Sequence, residues 1–252
     1  MVVRNSQTER LADKFAEREI KAVLFDLDGT LYRQPILRGF MALEMLSQPI
    51  RMLSMRKAKR LWNAIYVFRK VREHIRDKGG KDEFLATLEY RVPAEQLGMD
   101  EKELEAVVKE WMYHRPLKYL KMAKRPGIDT FMQLLAKSKI NIGVLSDYPS
   151  VDKLRSMGLD AYVELVLSAT ETQVNAFKPR PDGFLRACEL WCLLPEQVLY
   201  VGDRPEVDAL GAANSGMPCV IVGKKGKQPN QYESLYTGVS CYAEFARILE
   251  NK

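Results

Sequence analysis

Two aspartates stand one residue apart at the end of an apolar run. The stretch VLFDLDGTL, residues 23–31, places Asp26 and Asp28 directly after residues that suit a buried strand. Residues two apart in a strand point to the same side, so both carboxylates can face one ligand. However, Asp-Gly after alternating apolar residues is also a common β-hairpin turn. The stretch therefore predicts either a turn or a site that uses both carboxylates.

Further polar residues follow other apolar runs. Ser146 ends the run INIGVLS, Lys178 stands in FKPRPDGF, and Asp203 and Asp208 belong to GDRPEVD. Ligand sites in open parallel sheets lie beyond the carboxyl ends of the strands, so these side chains are expected to meet. Converging carboxylates repel one another unless a cation is present, and oxygen ligands suit Mg²⁺, which often binds together with phosphate. The pattern predicts a magnesium site at which Lys178 and Ser146 hold a phosphate group.

The elements that must hold these residues are strands alternating with helices. Short, nearly continuous apolar runs are typical of a parallel sheet covered on both faces, and helix-like segments lie between them. The alternation from about residue 127 onward predicts a doubly wound parallel-sheet, Rossmann-like α/β core. The predicted strands are AVLFDLD, INIGVLSD, AYVELVLSA, QVLYVGD and PCVIVG.

Residues 34–125 break this alternation. Helical periodicity runs through residues 40–77 and 100–114, with only a weak strand candidate in the whole region. We predict an all-helical cap domain at residues 34–125 and an α/β core domain formed by residues 1–33 and 126–252. The insertion argues against the hairpin, because YRQPILRGFM after the Asp-Gly carries no strand pattern that could pair.

The net charge of +6 is concentrated in the predicted cap. Residues 51–81 hold eleven lysines or arginines and two acids, so this segment alone carries +9. A solvated helix face is the default interpretation of such a segment. Sharper interpretations are an electropositive cap that attracts anionic substrates, or a surface for nucleic acid or anionic lipid.

Composition and length limit the remaining possibilities. The 252 residues suit one large α/β domain, or one sizeable domain together with a smaller second domain. No apolar segment reaches the length of a membrane span. The polar N-terminal residues 1–19 do not resemble a secretory signal, so we expect a cytoplasmic protein. The four cysteines have neither the density of a disulfide scaffold nor paired zinc spacing. Only His74 and His114 are available, which argues against a histidine metal site or a Ser-His-Asp triad.

Four of these segments carry a family resemblance. DLDGT at residues 26–30, Ser146 of VLSD, Lys178 of FKP and GDRPEVD at residues 202–208 resemble, in order and sheet position, the four motifs of the haloacid dehalogenase superfamily. Four motifs in register are a specific signal. The insertion between the first two motifs is similar to the helical cap of the phosphatase branch. One departure is Arg204-Pro205 in the fourth motif, which leaves the role of Asp208 open.

The resemblance implies a Mg²⁺-dependent phosphatase that hydrolyses a small phosphorylated metabolite through an aspartyl-phosphate. Asp26 would be the nucleophile, and Asp28 would be the general acid and then the general base. Ser146 and Lys178 would bind the transferring phosphoryl group. The metal ligands that the resemblance implies are Asp26, the backbone carbonyl of Asp28 and Asp203, with Asp208 in the outer shell.

Two alternatives stay open at this point. A phosphomutase of the beta-phosphoglucomutase type uses the same pair of aspartates but returns the phosphoryl group to its substrate. A non-catalytic binding module would instead use the basic cap to hold nucleic acid or a partner. Asp28 favours phosphoryl transfer, since dehalogenating members of the superfamily lack the second acid. For such an enzyme no nucleic acid partner is expected, and the pattern indicates neither the leaving alcohol nor the oligomeric state.

Overall fold

The computed structural model describes residues 19–51, 53–78, 83–223 and 231–250, together with residues 13 and 17. Six strands in this part of the chain form one sheet, and every pair of neighbouring strands is parallel. The strands are β1 (Ala22–Phe25), β2 (Asn141–Ser146), β3 (Leu165–Ser168), β4 (Val198–Gly202), β5 (Cys219–Val222) and β6 (Thr237–Val239).

The strand order is β3-β2-β1-β4-β5-β6, so β1 lies in the interior of the sheet. β1 pairs with β2 on one side and with β4 on the other. The hairpin interpretation of Asp26 and Asp28 is therefore wrong, because the strand before them has parallel partners on both sides. The order reverses beside β1, and such a switch point leaves a crevice at the carboxyl ends of the adjoining strands.

Helices cover both faces of the sheet, which confirms the doubly wound α/β core. Val23 and Phe25 belong to one apolar cluster, whereas Ala22 and Leu24 belong to the other, as the two-residue period of a strand requires. Phe131 packs in the first cluster and Phe184 in the second.

The remaining described helices form the all-helical cap, which begins directly after β1. A π-helical segment, Lys109–His114, interrupts these helices. The cap helices are α1 (Gln34–Leu46), α2 (Gln48–Arg51), α3 (Met55–Lys78), α4 (Leu85–Leu97), α5 (Glu101–Val108) and α6 (Leu117–Ala123). The core helices are α7 (Ile128–Lys137), α8 (Val151–Met157), α9 (Asp182–Trp191), α10 (Leu210–Asn214) and α11 (Tyr242–Glu250).

The chain leaves the core and returns to it at one place. Tyr32 and Lys124 form an isolated antiparallel bridge, and backbone hydrogen bonds join Arg33 N to Ala123 O at 2.8 Å and Arg125 N to Leu31 O at 3.0 Å. Domain boundaries at residues 34 and 125 stay a prediction. The pairing of the outgoing and the returning segment at this junction supports them.

Three details differ from the sequence expectations. The helical pattern of residues 40–77 is divided at Ser47 and again between α2 and α3. Pro49 explains the first break, because it lacks a backbone N–H and is best tolerated in the first turn of a helix, where it lies in α2. Residues 161–162 lie in a short 3-10 turn rather than in a strand, and β6 was not predicted.

None of the helices in the described part of the chain combines the length and apolar character that a bilayer crossing needs.

Candidate active site

The polar residues at the strand ends meet at the carboxyl edge of the sheet. Asp26 follows β1, and Asp203 follows β4, the neighbour of β1. One carboxylate oxygen from each of Asp26, Asp203 and Asp208 lies within 4.8 Å of the other two. Lys178 reaches the same point from the loop before α9 and forms ion pairs with Asp26 and Asp208. Four of the six residues singled out in the sequence thus form one cluster.

Both carboxylate oxygens of Asp26 accept hydrogen bonds. Lys178 Nζ donates to Asp26 Oδ1 at 2.6 Å, and the Thr30 hydroxyl donates to Oδ2 at 2.8 Å. Asp26 is 6% exposed. This burial, together with the nearby carboxylates, outweighs the effect of Lys178 and raises the pKa of Asp26 well above the usual value. Lys178 is 5% exposed, yet Asp208 and Asp26 raise its pKa despite that burial. One lysine therefore does not supply enough positive charge to keep all the carboxylates ionised.

Asp208 is occupied on both oxygens by donors from the protein. Lys178 Nζ and the Tyr200 hydroxyl donate to Oδ1 at 2.8 Å and 3.1 Å. The backbone N–H groups of Asp203 and Arg204 donate to Oδ2 at 3.1 Å and 3.0 Å. Gly202 permits this arrangement, because a Cβ at that position would overlap the Asp208 side chain. Asp208 thus orients the loop that carries Asp203.

Asp203 differs from Asp208 in having an oxygen to spare. Its Oδ1 atom is buried and has no hydrogen-bond partner among the described residues. Burial and the charge of Asp208 raise the pKa of Asp203 to about 6. Gly29, at φ 106°, lies so close to this carboxylate that a Cβ would clash with it. A buried, unpaired carboxylate oxygen beside two further carboxylates fits a hard divalent cation such as Mg²⁺.

Asp28 lies beside a different lysine. Lys153 Nζ, from α8, donates to the two oxygens of Asp28 at 2.6 Å and 2.9 Å. The Tyr32 hydroxyl donates to Oδ1, and the Gln34 side chain donates to the backbone carbonyl of Asp28 at 2.9 Å. Burial alone would raise the pKa of Asp28, but Lys153 and Tyr32 outweigh it and hold the pKa below its usual value. Sequence reasoning missed both Lys153 and Tyr32.

Lys153→Met is expected to destabilise the fold at pH 7 by about 3 kcal/mol, because it leaves a buried carboxylate without its cation. With a lowered pKa, ionised Asp28 stabilises the wild type above a pH of about 3.8, and this contribution is lost as the pH falls through the lowered value. In the variant, burial is no longer opposed by Lys153 and raises the pKa of Asp28, so the carboxyl takes up a proton as the pH falls and the buried charge disappears. The difference in unfolding free energy between variant and wild type, measured with urea at pH 7 and pH 4, should therefore be smaller at pH 4.

Arg155→Met is the matched control on the same helix. Its ion pair with Asp152 is 65% exposed on both sides, so the loss should stay below about 0.5 kcal/mol. Equal destabilisation of the two variants would contradict the assigned contact between Lys153 and Asp28.

Ser146 occupies the end of β2 but does not line the cavity between the carboxylate cluster and the cap. Its hydroxyl is buried and accepts a hydrogen bond from the Tyr148 backbone N–H at 3.2 Å. The next two residues, Asp147 and Tyr148, do line the cavity. The phosphate-binding role of Ser146 stays a prediction.

Two arginines of the basic helix α3 contact this loop after β2. Arg72, 1% exposed, donates to the Asp147 carbonyl at 2.6 Å, pairs with Glu89, and lies 4.2 Å from the centre of the Tyr148 ring. Arg76 donates to Asp147 Oδ2 at 2.6 Å. A wholly solvated basic face is thus the wrong interpretation for these two positions, because both guanidinium groups join the cap to the core.

A cavity of about 780 Å³ extends from the carboxylate cluster to the cap. The core side of its wall holds the clustered aspartates, Asp28, Lys153 and Lys178. The cap side comes from α1, from α3 and from the π-helical segment. The cap residues that line the cavity are Gln34, Leu37, Arg38, Met41, Ala42, Met45, Ile65, Arg69, Glu73, Arg76, Trp111, Met112 and Pro116.

The model of one protein family, described as haloacid dehalogenase-like hydrolase, matches residues 20–216. The chain belongs to this family. The matched range includes β1, the whole cap and the four motif segments, so the hydrolase family accounts for both parts of the fold. The resemblance read from the motifs is thereby confirmed, and the protein is a hydrolase.

Curated relatives of this hydrolase carry phosphatase names. The glyceraldehyde 3-phosphate phosphatase of Methanopyrus kandleri is 26% identical over 211 residues, which cover 82% of this chain and 85% of that protein. The enzyme of the same name from Methanothermobacter thermautotrophicus is 25% identical over 209 residues, which cover 82% and 87%.

Solved structures of the family share the fold of this hydrolase. The 2-haloacid dehalogenase of Pseudomonas syringae superposes with a TM-score of 0.62 at 21% identity, covering 92% of this chain and 99% of that one. A phosphatase of the family from Thermococcus onnurineus gives a TM-score of 0.59 at 23% identity, covering 91% and 98%.

Proposed function

We propose that the protein is a Mg²⁺-dependent phosphatase that hydrolyses a small-molecule phosphomonoester through an aspartyl-phosphate on Asp26. The observation that carries the proposal is the placement of Asp26 and Asp28 beside two buried lysines on the floor of one cavity. The phosphatase names of the relatives support the phosphomonoester class. The cytoplasmic location expected from the sequence stays a prediction.

In this proposal Asp26 attacks phosphorus in line while the bond from phosphorus to the leaving oxygen breaks. A covalent intermediate divides hydrolysis into two displacements, and water then attacks the phosphorus of the aspartyl-phosphate and releases Asp26. Thr30 and Lys178 fix the two oxygens of Asp26 and orient the attack. Lys178, and Ser146 as a further donor, would stabilise the charge on the transferring phosphoryl oxygens.

Asp28 is the proposed acid and base, and its resting state is ionised. A bound phosphate dianion brings negative charge close to Asp28 and raises its pKa, which favours uptake of the proton that the leaving alkoxide needs. Once that proton has gone to the alcohol, the carboxylate accepts a proton from the attacking water. Lys153 and Tyr32 hold the carboxylate in place during both steps.

The residues that would hold Mg²⁺ are Asp26, Asp203 and the carbonyl of Asp28. The ion would supply the positive charge that Lys178 alone does not provide to the carboxylates and the phosphate. Asp208 has no oxygen left for a ligand bond, so we assign it to orienting Asp203 and Lys178.

Release of p-nitrophenol from p-nitrophenyl phosphate tests the proposal. With Mg²⁺ present the protein should produce one free phosphate for each p-nitrophenol, and excess EDTA should lower the rate by at least about 100-fold, because the clustered carboxylates lose their neutralising charge. Restoring Mg²⁺ is the control and should restore the rate. Turnover that persists in EDTA contradicts the metal dependence, whereas phosphate that is transferred to another alcohol instead of being released favours the mutase.

A further inference from the structure

The cap side of the cavity is predominantly apolar along helix α1. Leu37, Met41 and Met45 are spaced by four residues, so they lie on one face of the helix, and all three line the cavity. The wall also holds polar cap residues: Arg38 donates to Gln34 at 2.6 Å, Arg76 forms an ion pair with Glu73, and Arg69 is exposed to solvent. The α1 wall thus offers hydrocarbon and thioether groups, which suit an apolar ligand of variable shape.

The π-helical segment adds an aromatic residue to this wall. Lys109–His114 widens the helix after α5 and brings Trp111 and Met112 to the cavity. Trp111 also packs with Ile65 of α3, another lining residue. Single π-helical turns inside α-helices occur frequently at functional sites, because they redirect side chains that a regular helix would point elsewhere. Three separate cap segments therefore present apolar groups to the same space.

We infer that the substrate is a phosphomonoester whose leaving group is an extended, predominantly apolar alcohol or phenol, larger than a three-carbon unit. The inference rests on the proposed phosphatase function, because the aspartates at the floor would receive the phosphate. A volume of about 780 Å³ lies in the range that holds drug-sized ligands, so a three-carbon leaving group leaves most of it to water. Water against an apolar wall is unfavourable, and an apolar leaving group displaces it.

Initial-rate measurements on a series of alkyl phosphates test this assignment. Straight-chain phosphates from propyl to hexyl are compared with glycerol 3-phosphate, which matches propyl phosphate in chain length but carries two hydroxyls. Each added methylene should raise kcat/KM by about threefold to fourfold, so hexyl phosphate should exceed propyl phosphate by about 30-fold or more. A flat or falling series, or a preference for glycerol 3-phosphate over propyl phosphate, overturns the inference while the phosphatase function stands.

Binding measurements separate the apolar leaving-group site from the phosphatase function if the wild type releases no phosphate from these compounds. Calorimetric titration of Asp26→Asn with the same series reports the cavity without turnover. Affinity that rises with chain length, in the absence of any phosphate release by the wild type, supports the apolar site and overturns the phosphatase function. Affinity that does not rise overturns the inference.

Two variants of α1 test whether the gain in kcat/KM per methylene depends on the apolar cavity wall. Met41→Gln keeps the shape of the side chain and makes it polar, and it should reduce the gain per methylene by at least about half. Leu43→Gln is the matched control, since Leu43 is 66% exposed and does not line the cavity. An unchanged chain-length dependence in Met41→Gln, or an equal loss in both variants, contradicts the assignment.

Discussion

Asp26→Asn is expected to lower phosphate release from p-nitrophenyl phosphate by roughly 10³-fold or more while the fold stays intact. Asparagine has nearly the shape of aspartate but cannot act as the nucleophile that forms the aspartyl-phosphate. The carboxylate it replaces is held by Thr30 and Lys178 at 2.8 Å and 2.6 Å, so the neighbours are already placed around a side chain of this size. The loss should therefore appear in kcat.

The same substitution should not destabilise the protein. Because burial raises the pKa of Asp26, its ionised form opposes folding at neutral pH, and this cost grows as the pH rises through the raised value. Asparagine removes that charge, and Lys178 keeps Asp208 as its partner. We expect the Tm of Asp26→Asn at pH 8 to equal or exceed that of the wild type.

Calorimetry and the phosphate assay, carried out on one preparation, check both statements. Asp160→Asn, at an exposed position in the short 3-10 turn after α8, is the control and should retain full activity. A folded Asp26→Asn variant with wild-type turnover would remove Asp26 from the reaction and with it the proposed mechanism.

The sequence indicated the carboxylate cluster because strand geometry is local. Asp26 and Asp203 each follow a run of buried apolar residues, and parallel strands place their carboxyl ends at one edge whatever their order in the sheet. The segment FKPRPDGF indicated Lys178 less directly, from its place between two predicted strands and from the motif resemblance, since a single lysine in a loop has no position until the loop is folded. The core and the cluster could thus be predicted before the helices were placed.

Most of the residues that sequence reasoning missed reach the site from helices, whereas Tyr32 reaches it from the bridge that follows β1. Lys153 has the sequence context of an exposed helix residue, and only the packing of α8 against the sheet aims it at Asp28. Arg72 and Arg76 belong to a strongly basic segment whose periodicity does not distinguish a solvated position from one that docks on the core. Contacts between elements depend on tertiary packing, which no local pattern encodes.

Lys178→Met is expected to combine loss of stability with loss of activity. Lys178 is 5% exposed, and its Nζ atom lies between Asp26 Oδ1 and Asp208 Oδ1 at 2.6 Å and 2.8 Å. Methionine fills a similar volume but leaves these buried carboxylates without a cation, which typically costs about 3–5 kcal/mol. kcat should also fall by about 100-fold or more, because a buried positive charge beside the reacting phosphoryl group is lost.

The stability loss has a pH dependence that identifies its cause. Without Lys178, burial and the neighbouring carboxylates act on Asp26 unopposed, so its folded pKa rises further above the usual value. A raised carboxylate pKa means that stability increases as the pH falls and decreases as it rises. Urea unfolding without added metal should therefore show a larger difference between variant and wild type at pH 8 than at pH 5. A difference that does not change with pH would point to packing instead.

Removing the charge of Asp208 as well should restore part of the stability that Lys178→Met loses. In Lys178→Met with Asp208→Asn, Asp26 is the one former partner of Lys178 that keeps its carboxylate, and the backbone donors of Asp203 and Arg204 can still bond to the amide oxygen at position 208. The double variant should recover at least about 1 kcal/mol relative to Lys178→Met alone. Lys137→Met, at an exposed position in α7, should lie within about 0.5 kcal/mol of the wild type. A double variant less stable than Lys178→Met would mean that Asp208 supports the fold through its backbone contacts rather than through its pairing with Lys178.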